Sequence, residues 1–258
     1  MPVDEWNPAQ YEKFRAERLA PFFDLLSLIR PRPQMRIIDL GCGTGEITGM
    51  LVDKLPAARA EGIDSSASML AKATARAHPR LSFRRADVSE IEDYSPFDLV
   101  FSNAAFHWVP DNERLMKTIL TTLKPGAQIA VQLPKNEAHP SHQVARALVA
   151  EGAVRGWLGG LASDSFALSL SRYAELLFAH GFREQVCLEK IYGHVLAASG
   201  EVVEWTKGTL LVPYLSRLTE AQQTVFLQLY RERLLRVIGD EAPYFFAFRR
   251  LLFWGVKG

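Results

Sequence analysis

Residues 37–45 read Ile37-Ile38-Asp39-Leu40-Gly41-Cys42-Gly43-Thr44-Gly45: an apolar run holding an acid, then three glycines at alternate positions, then a helix-forming segment. A residue without Cβ lets a ligand lie against bare backbone, so Gly41 and Gly43 predict a ligand bed. The helix start at Thr44 to Ile47 adds backbone N–H groups that no preceding turn can pair. The dinucleotide fingerprint, G-x-G-x-x-G, seats a pyrophosphate on such a helix start. Here the third glycine comes one residue early, and Asp39 stands two residues before the first. A carboxylate there repels a pyrophosphate and suits a cationic ligand. Three glycines in five residues also argue against a purely structural turn, since each costs stability in a strand or helix.

On either side of this turn, strands and helices alternate. Residues 8–30 carry Tyr11, Phe14, Leu19, Phe22 and Phe23, then Leu25 and Leu26, at near-helical period, stopped by Pro31 and Pro33. Strands are predicted at Arg36 to Leu40, Ala60 to Ile63, Leu81 to Arg85, Phe97 to Ser102 and Gln128 to Leu133. Helices fall between them at about Glu46 to Leu55, Ser68 to Ala77 (capped by Ser65 or Ser66) and Asp111 to Leu123. Strict alternation of this kind predicts a parallel, doubly wound α/β sheet with ligands at the carboxyl ends of the strands. After Pro134 the pattern changes. Helix is predicted over 140–157, a loop from Gly159-Gly160 to Ser165, and helix from Ser171 to His180 with Gly181 as its stop. A strand at Val186 to Val195, a helical stretch over 200–238 broken at Pro213, and a last strand at Phe245 to Val256 complete the chain.

The totals exclude several classes. The 258 residues are 48% hydrophobic and 23% charged with net charge +1, an ordinary globular composition with no basic field to draw nucleic acid or an anionic membrane. The two cysteines, Cys42 and Cys187, form no CxxC pair and no disulfide framework, and Cys42 inside the glycine turn reads as a small packing residue. No signal peptide and no membrane-length apolar run is present, so a cytoplasmic protein is expected. His139 and His142 are three apart, but no neighbouring acid or cysteine completes a metal site, and none is expected. The sequence carries no marker of oligomeric state.

Asp64 lies 19 residues after Gly45, just past an apolar strand. By the strand-end rule it is placed to take both hydroxyls of a ribose through charge-assisted hydrogen bonds; its other reading is a helix cap. Asp87 ends the third strand. Asn103-Ala104-Ala105-Phe106-His107-Trp108 follows the fourth, where two ligands would meet.

An acid before G-x-G-x-G, followed by Asp64, Asp87 and Asn103 in this order, resembles the class I S-adenosylmethionine-dependent methyltransferases. The resemblance implies a Rossmann-like, doubly wound seven-stranded sheet with a helical cap inserted in the C-terminal half. Residues 1–33 would then be a helical segment over the cofactor. Residues 34–258 would form the methyltransferase domain, with cap helices at about 137–165 and 199–240. It also implies a bed for S-adenosylmethionine, leaving S-adenosylhomocysteine, made of Asp39, Gly41, Cys42, Gly43, Gly45, Asp64, Ser65, Met69, Asp87, Val88 and Asn103. In that bed the glycine turn holds the methionyl and ribose part, and Asp87 and the Val88 N–H meet the adenine. Asn103 takes the methionyl ammonium through its carbonyl. His107, Trp108 and Tyr11 would border the transferred methyl.

Further stretches are similar to the bacterial trans-aconitate 2-methyltransferases: Trp6-Asn7-Pro8 with Tyr11, Phe14, Glu17 and Arg18; Asn103 to Asp111; Val131-Gln132 with Pro134 and Asn136. Glu204-Trp205 with Lys207-Gly208-Thr209, Pro213-Tyr214-Leu215 and Phe248 to Phe253 continue the likeness. It implies a small carboxylic acid as acceptor, with Gln132, Asn136, Lys207 and Arg249 as candidates to bind it. Two positions depart from the pattern. Lys135 stands where family members tend to carry an acid, and Val212 where they tend to carry an arginine. Other acceptors implied by related enzymes are different small molecules and carrier-bound acyl groups; a non-catalytic cofactor-binding module is the non-enzyme alternative. A nicotinamide oxidoreductase is disfavoured by Asp39 and the early third glycine.

Overall fold

A computed structural model describes residues 15–56, 58–161 and 165–258, with side chains from residue 19 on. Tyr11 and the start of the predicted first helix lie outside the described residues. The chain divides into two compact units. Among the described residues, one comprises 16–56, 58–134, 166–190 and 250–258, and the other Arg15, 135–161, Ser165 and 191–249.

The first unit opens with α1 (Arg15–Leu28), which buries Phe22 and Leu25 completely. Then β1 (Arg36–Leu40), α2 (Glu46–Lys54), β2 (Arg59–Asp64), α3 (Ala67–Thr74) and β3 (Leu81–Arg85) alternate as the sequence predicts. β4 (Leu99–Asn103), α4 (Asn112–Thr122) and β5 (Gln128–Pro134) continue the pattern. β4 starts two residues later than expected because Asp98 is used as a clip: its Oδ2 accepts the Arg36 N–H at 2.9 Å. Strands β1 and β5 are buried on both faces and mostly apolar, as parallel strands covered on both sides are. The interior around Ile38, Val100, Met116, Ile129 and Phe253 is fully closed to solvent. Gln128, 2% exposed, is satisfied throughout: its Oε1 accepts from Arg30 N–H and Trp254 Nε1, and its Nε2 donates to the Arg30 carbonyl.

The strand order is β3-β2-β1-β4-β5-β7-β6, where β6 is Glu184–Leu196 and β7 is Tyr244–Val256. β1 to β5 are parallel, but β7 runs antiparallel to β5, so the sheet is mixed and the expectation of a wholly parallel sheet holds only for its first five strands. The order reverses between β1 and β4, which makes their carboxyl ends the crevice where ligands of such sheets bind. α7 (Leu170–Ala179) also belongs to this unit.

The second unit is mainly helical: α5 (Pro140–Val149), α6 (Gly152–Leu158), α8 (Glu201–Lys207), α9 (Val212–Leu215) and α10 (Glu220–Ile238). Its interior gathers Trp205, Phe226, Tyr230 and Phe246, each at most 2% exposed. Thr219 and Gln222 form a capping box at the start of α10. Pro213 does not break a helix. It sits at the first turn of α9, where its missing N–H would have no partner in any case.

Candidate active site

The glycine turn is hung from the neighbouring strand, since the N–H groups of Gly41 and Cys42 both donate to the Ile63 carbonyl at 2.9 Å. All three glycines take left-handed φ, +79°, +54° and +71°. They are bare for different reasons. A Cβ on Gly41 would lie 2.2 Å from the Ala105 Cβ, and one on Gly45 2.5 Å from the Phe83 ring. At Gly43 nothing lies within 4 Å. The vacant Cβ position of Gly41 is thus filled by Ala105, so the protein's own packing requires glycine there. Gly43 alone of the three opens onto clear space.

Asp39, two residues upstream, is 1% exposed. Thr48 Oγ1 on α2 donates to its Oδ2 at 2.6 Å, and Oδ1 has no hydrogen-bond partner among the described residues. Burial pushes the carboxyl up to about 7; the Thr48 bond pulls it down, and the nearby charge of Asp64 raises it further. A buried acceptor without a donor costs about 1–3 kcal/mol, more for a charged group. A cationic ligand group would recover that cost, so the acid fits the sulfonium and ammonium of S-adenosylmethionine better than any phosphate.

Asp64 shapes the same turn. Its Oδ2 accepts the Gly43 N–H and its Oδ1 the Ser66 N–H, both at 2.8 Å. A carboxylate oxygen can accept two bonds, so holding the turn does not by itself spend the group. Cys42 packs against Leu70, Ala73 and Phe83, and burial pushes its thiol up, away from thiolate chemistry. Ser66 rather than Ser65 caps α3, accepting the Met69 N–H at 3.2 Å. Ser65 is exposed, and its carbonyl accepts from Arg85 Nε at 3.1 Å; Met69 is buried. Asp87 is exposed and caps a 3-10 turn at Val88–Glu90, its Oδ1 accepting both the N–H and the hydroxyl of Ser89. Val88 packs half-buried against the main core.

The end of β4 is held by several hydrogen bonds. Ser102 Oγ donates to the Leu40 carbonyl at 2.7 Å, tying β4 to the strand that leads into the glycine turn. Ala104 takes a left-handed φ of +61°, a strained choice for a residue with a Cβ, and its N–H donates to the Gln132 carbonyl. The Gln132 side chain donates Nε2 to Asn103 Oδ1 at 2.7 Å and accepts Arg250 Nη1 on Oε1 at 3.0 Å. A 3-10 turn at Phe106–Trp108 follows. Asn112 Nδ2 donates to the Phe106 carbonyl, Tyr173 Oη donates to Asn112 Oδ1, and the Phe166 N–H donates to the His107 carbonyl. The backbone that carries His107 and Trp108 is therefore fixed at successive residues. Their rings lie 4.7 Å apart at 44°, with His107 only 8% exposed.

The acceptor candidates divide between the units. Gln132 stands with Asn103 in the first. In the second, Asn136 brackets the backbone of Arg249, donating Nδ2 to its carbonyl at 3.0 Å and accepting its N–H at 2.9 Å. Arg249 itself is exposed, Lys207 pairs with Glu204 at 2.6 Å, Lys135 with Glu137 at 3.4 Å, and Val212 is buried. Among the described residues no three His, Cys, Asp or Glu side chains are grouped to hold a metal, and no helix is long and apolar enough to cross a membrane. The sequence reading missed Thr48, Ala105 and the Asn112–Tyr173 pair. Thr48 was the most findable, since it stands on the first turn of the helix that the glycines open.

Residues 37–126 match a protein family described as Methyltransferase domain. Over nearly its whole length the chain is similar to proteins named trans-aconitate 2-methyltransferase. It is 44% identical to that of Deinococcus radiodurans across 96% of each chain, and 37% identical to that of Streptomyces avermitilis across 96% of each. Among solved structures, a putative methyltransferase from Anabaena variabilis aligns with a TM-score of 0.61 at 15% identity, covering 93% of this chain and 99% of that one. Haemonchus contortus phosphoethanolamine N-methyltransferase 2, solved with S-adenosyl-L-methionine, aligns at 0.56 and 17%, covering 92% of this chain and 52% of that one. These structural likenesses show the fold.

Proposed function

The chain belongs to the trans-aconitate 2-methyltransferase family of S-adenosylmethionine-dependent methyltransferases, and on that premise we propose that it methylates one carboxylate of trans-aconitate or a similar small polycarboxylic acid. The observation that carries the reading is the extent of the likeness, which runs through the second unit as well as the glycine turn. When bound, S-adenosylmethionine supplies a methyl activated on a sulfonium.

The chain's own part is placement. Gly43 leaves room for the donor beside the turn, Asp39 offers a buried carboxylate to its positive charge, and Asp64 holds the turn in shape. We assign Asp64 to the ribose hydroxyls, Asp87 and the Val88 N–H to the adenine, and His107 and Trp108 to the edge of the transferred methyl. Tyr11, from the segment 1–33, would complete the aromatic wall. A carboxylate acceptor is already ionised at neutral pH, so no general base is required. Catalysis then rests on holding oxygen, methyl and sulfur in line while excluding water. The fixed backbone of Phe106 and His107 supplies that rigidity.

The acceptor is named by radiolabelled methyl transfer to a panel of small carboxylic acids, including trans-aconitate. Base-labile label on trans-aconitate is the expected result. Transfer only to amines, hydroxyls or carrier-bound acyl groups would overturn the carboxylate reading. The departures at Lys135 and Val212 predict a preference within the acids that differs from that of relatives carrying an acid and an arginine there.

A further inference from the structure

Buried Arg250 and Gln132 decide which end of the Asn103 amide serves the site. Arg250 is 6% exposed and Gln132 fully buried. A guanidinium donates and never accepts, so the oxygen of Gln132 must face Arg250 Nη1, 3.0 Å away. The Gln132 nitrogen is then turned to Asn103, which can meet it only with Oδ1, at 2.7 Å. One choice forces the next along the chain. The strand register permits it: Gln132 pairs with Leu252, so Arg250 is the diagonal neighbour on the same face of β7. The Gln132 carbonyl also holds the Ala104 N–H, so Asn103 is pinned by its side chain and by the residue after it.

We propose that Arg250 is a positioning residue that, through Gln132, presents the Asn103 Nδ2 hydrogens at the carboxyl end of β4 as a donor for a carboxylate. No described residue takes Nδ2, and Asn103 is half-buried at the strand end that Ser102 ties to the glycine turn. The carbonyl of Asn103 is expected to take the methionyl ammonium; its Oδ1 already accepts one bond from Gln132, and the nitrogen is what the amide newly offers the site. Resting on the methyl-transfer reading, the carboxylate has two sources, the amino-acid carboxylate of the donor or a carboxylate of the acceptor acid.

Gln132→Glu tests the relay, because the new carboxylate still pairs with Arg250 but has no hydrogen to give Asn103, whose amide must turn over. Calorimetry would measure three ligands on folded wild type, Gln132→Glu, Arg250→Lys and Arg250→Met: S-adenosylhomocysteine, its decarboxylated analogue, and trans-aconitate added to the S-adenosylhomocysteine complex. If the donor's carboxylate is held, Gln132→Glu and Arg250→Met lose about ten- to a hundredfold in affinity for S-adenosylhomocysteine but not for the decarboxylated analogue. If the acceptor's is held, the same loss falls on trans-aconitate alone. Arg250→Lys, still a donor only, retains most of the affinity in either case. Gln132→Glu binding both carboxylate ligands within about twofold of wild type, or losing the analogue equally, overturns the relay. Wild type that binds S-adenosylhomocysteine but not trans-aconitate would defeat the acceptor reading and leave the relay to be decided by the first pair of ligands.

Discussion

Replacing Asp39 by asparagine should stabilise the ligand-free protein, increasingly so as pH rises. Asparagine keeps the shape and still offers Thr48 an acceptor, but it carries no charge to bury. The folded state holds the Asp39 proton up to about pH 7, against an ordinary value of 3.8. A carboxyl raised in this way contributes its full stability below the unfolded value and loses it as pH climbs through the folded one. Over the whole gap the loss is about 4 kcal/mol, at about 1.4 kcal/mol per pH unit. Urea denaturation of both proteins without ligand, at several values between about pH 5 and pH 8, reads it directly. The advantage of Asp39→Asn should grow by about 2–3 kcal/mol across that range. An offset that stays constant with pH would refute the reasoning, since it would mean that Asp39 is ionised in the fold throughout. The same linkage predicts that wild type binds the cationic donor more tightly from about pH 6 to pH 8, with proton release, while the variant loses that dependence.

Gly41→Ala should cost about 3 kcal/mol by thermal or urea unfolding, because the new methyl meets Ala105 and the backbone is left-handed. Gly43→Ala should cost about 1–2 kcal/mol of stability for its φ alone, yet weaken S-adenosylhomocysteine at least about tenfold if the open space its methyl enters is the donor's, as proposed. Asp64→Ala should weaken the cofactor by about 1.5–3 kcal/mol in calorimetry and lower stability too, because it frees the Gly43 and Ser66 N–H groups; unchanged affinity would remove the ribose assignment. Tyr173→Phe keeps the ring stacked on Phe253 but strands Asn112 Oδ1, and should cost about 1–3 kcal/mol of stability by urea denaturation. If the acceptor is a carboxylate, the rate of methyl transfer at saturating donor should stay flat from about pH 5.5 to pH 8, and an inflection in the histidine range that persists in Asp39→Asn would make His107 a base.

The cofactor half was legible because its signals are local. An apolar strand, an acid and alternate glycines are contiguous in sequence, and Asp64, Asp87 and Asn103 stand at or just past the carboxyl ends of the next three strands. What could not be read is which glycine opens onto clear space, since that depends on Ala105 and Phe83, brought in from outside the turn. Asn103 stands out in the sequence, but the direction of its amide does not. That direction depends on Arg250, more than a hundred residues away, reaching Gln132 through an antiparallel register that the alternating pattern of the first five strands gave no reason to expect. Likewise Asn136 was read as an acceptor contact, while its amide engages the backbone of Arg249. Pro213 was read as a break because a proline inside a helical run and one at its first turn look alike without the cap in view.

The placing of β7 between β5 and β6 has a consequence for how the sheet comes into being. During vectorial synthesis β1 to β5 emerge in an order that lets each find a neighbour already made. β6 does not share that order, since its partner in the sheet is β7, and residues 244–256 are made only after the helices α8 to α10. Until then β6 is a strand with nothing to pair with, and β5 has a bare edge of apolar residues. Such edges invite pairing with other chains. β7 is thus the keystone of assembly, and its arrival is what separates a nascent chain at risk of aggregation from a completed sheet.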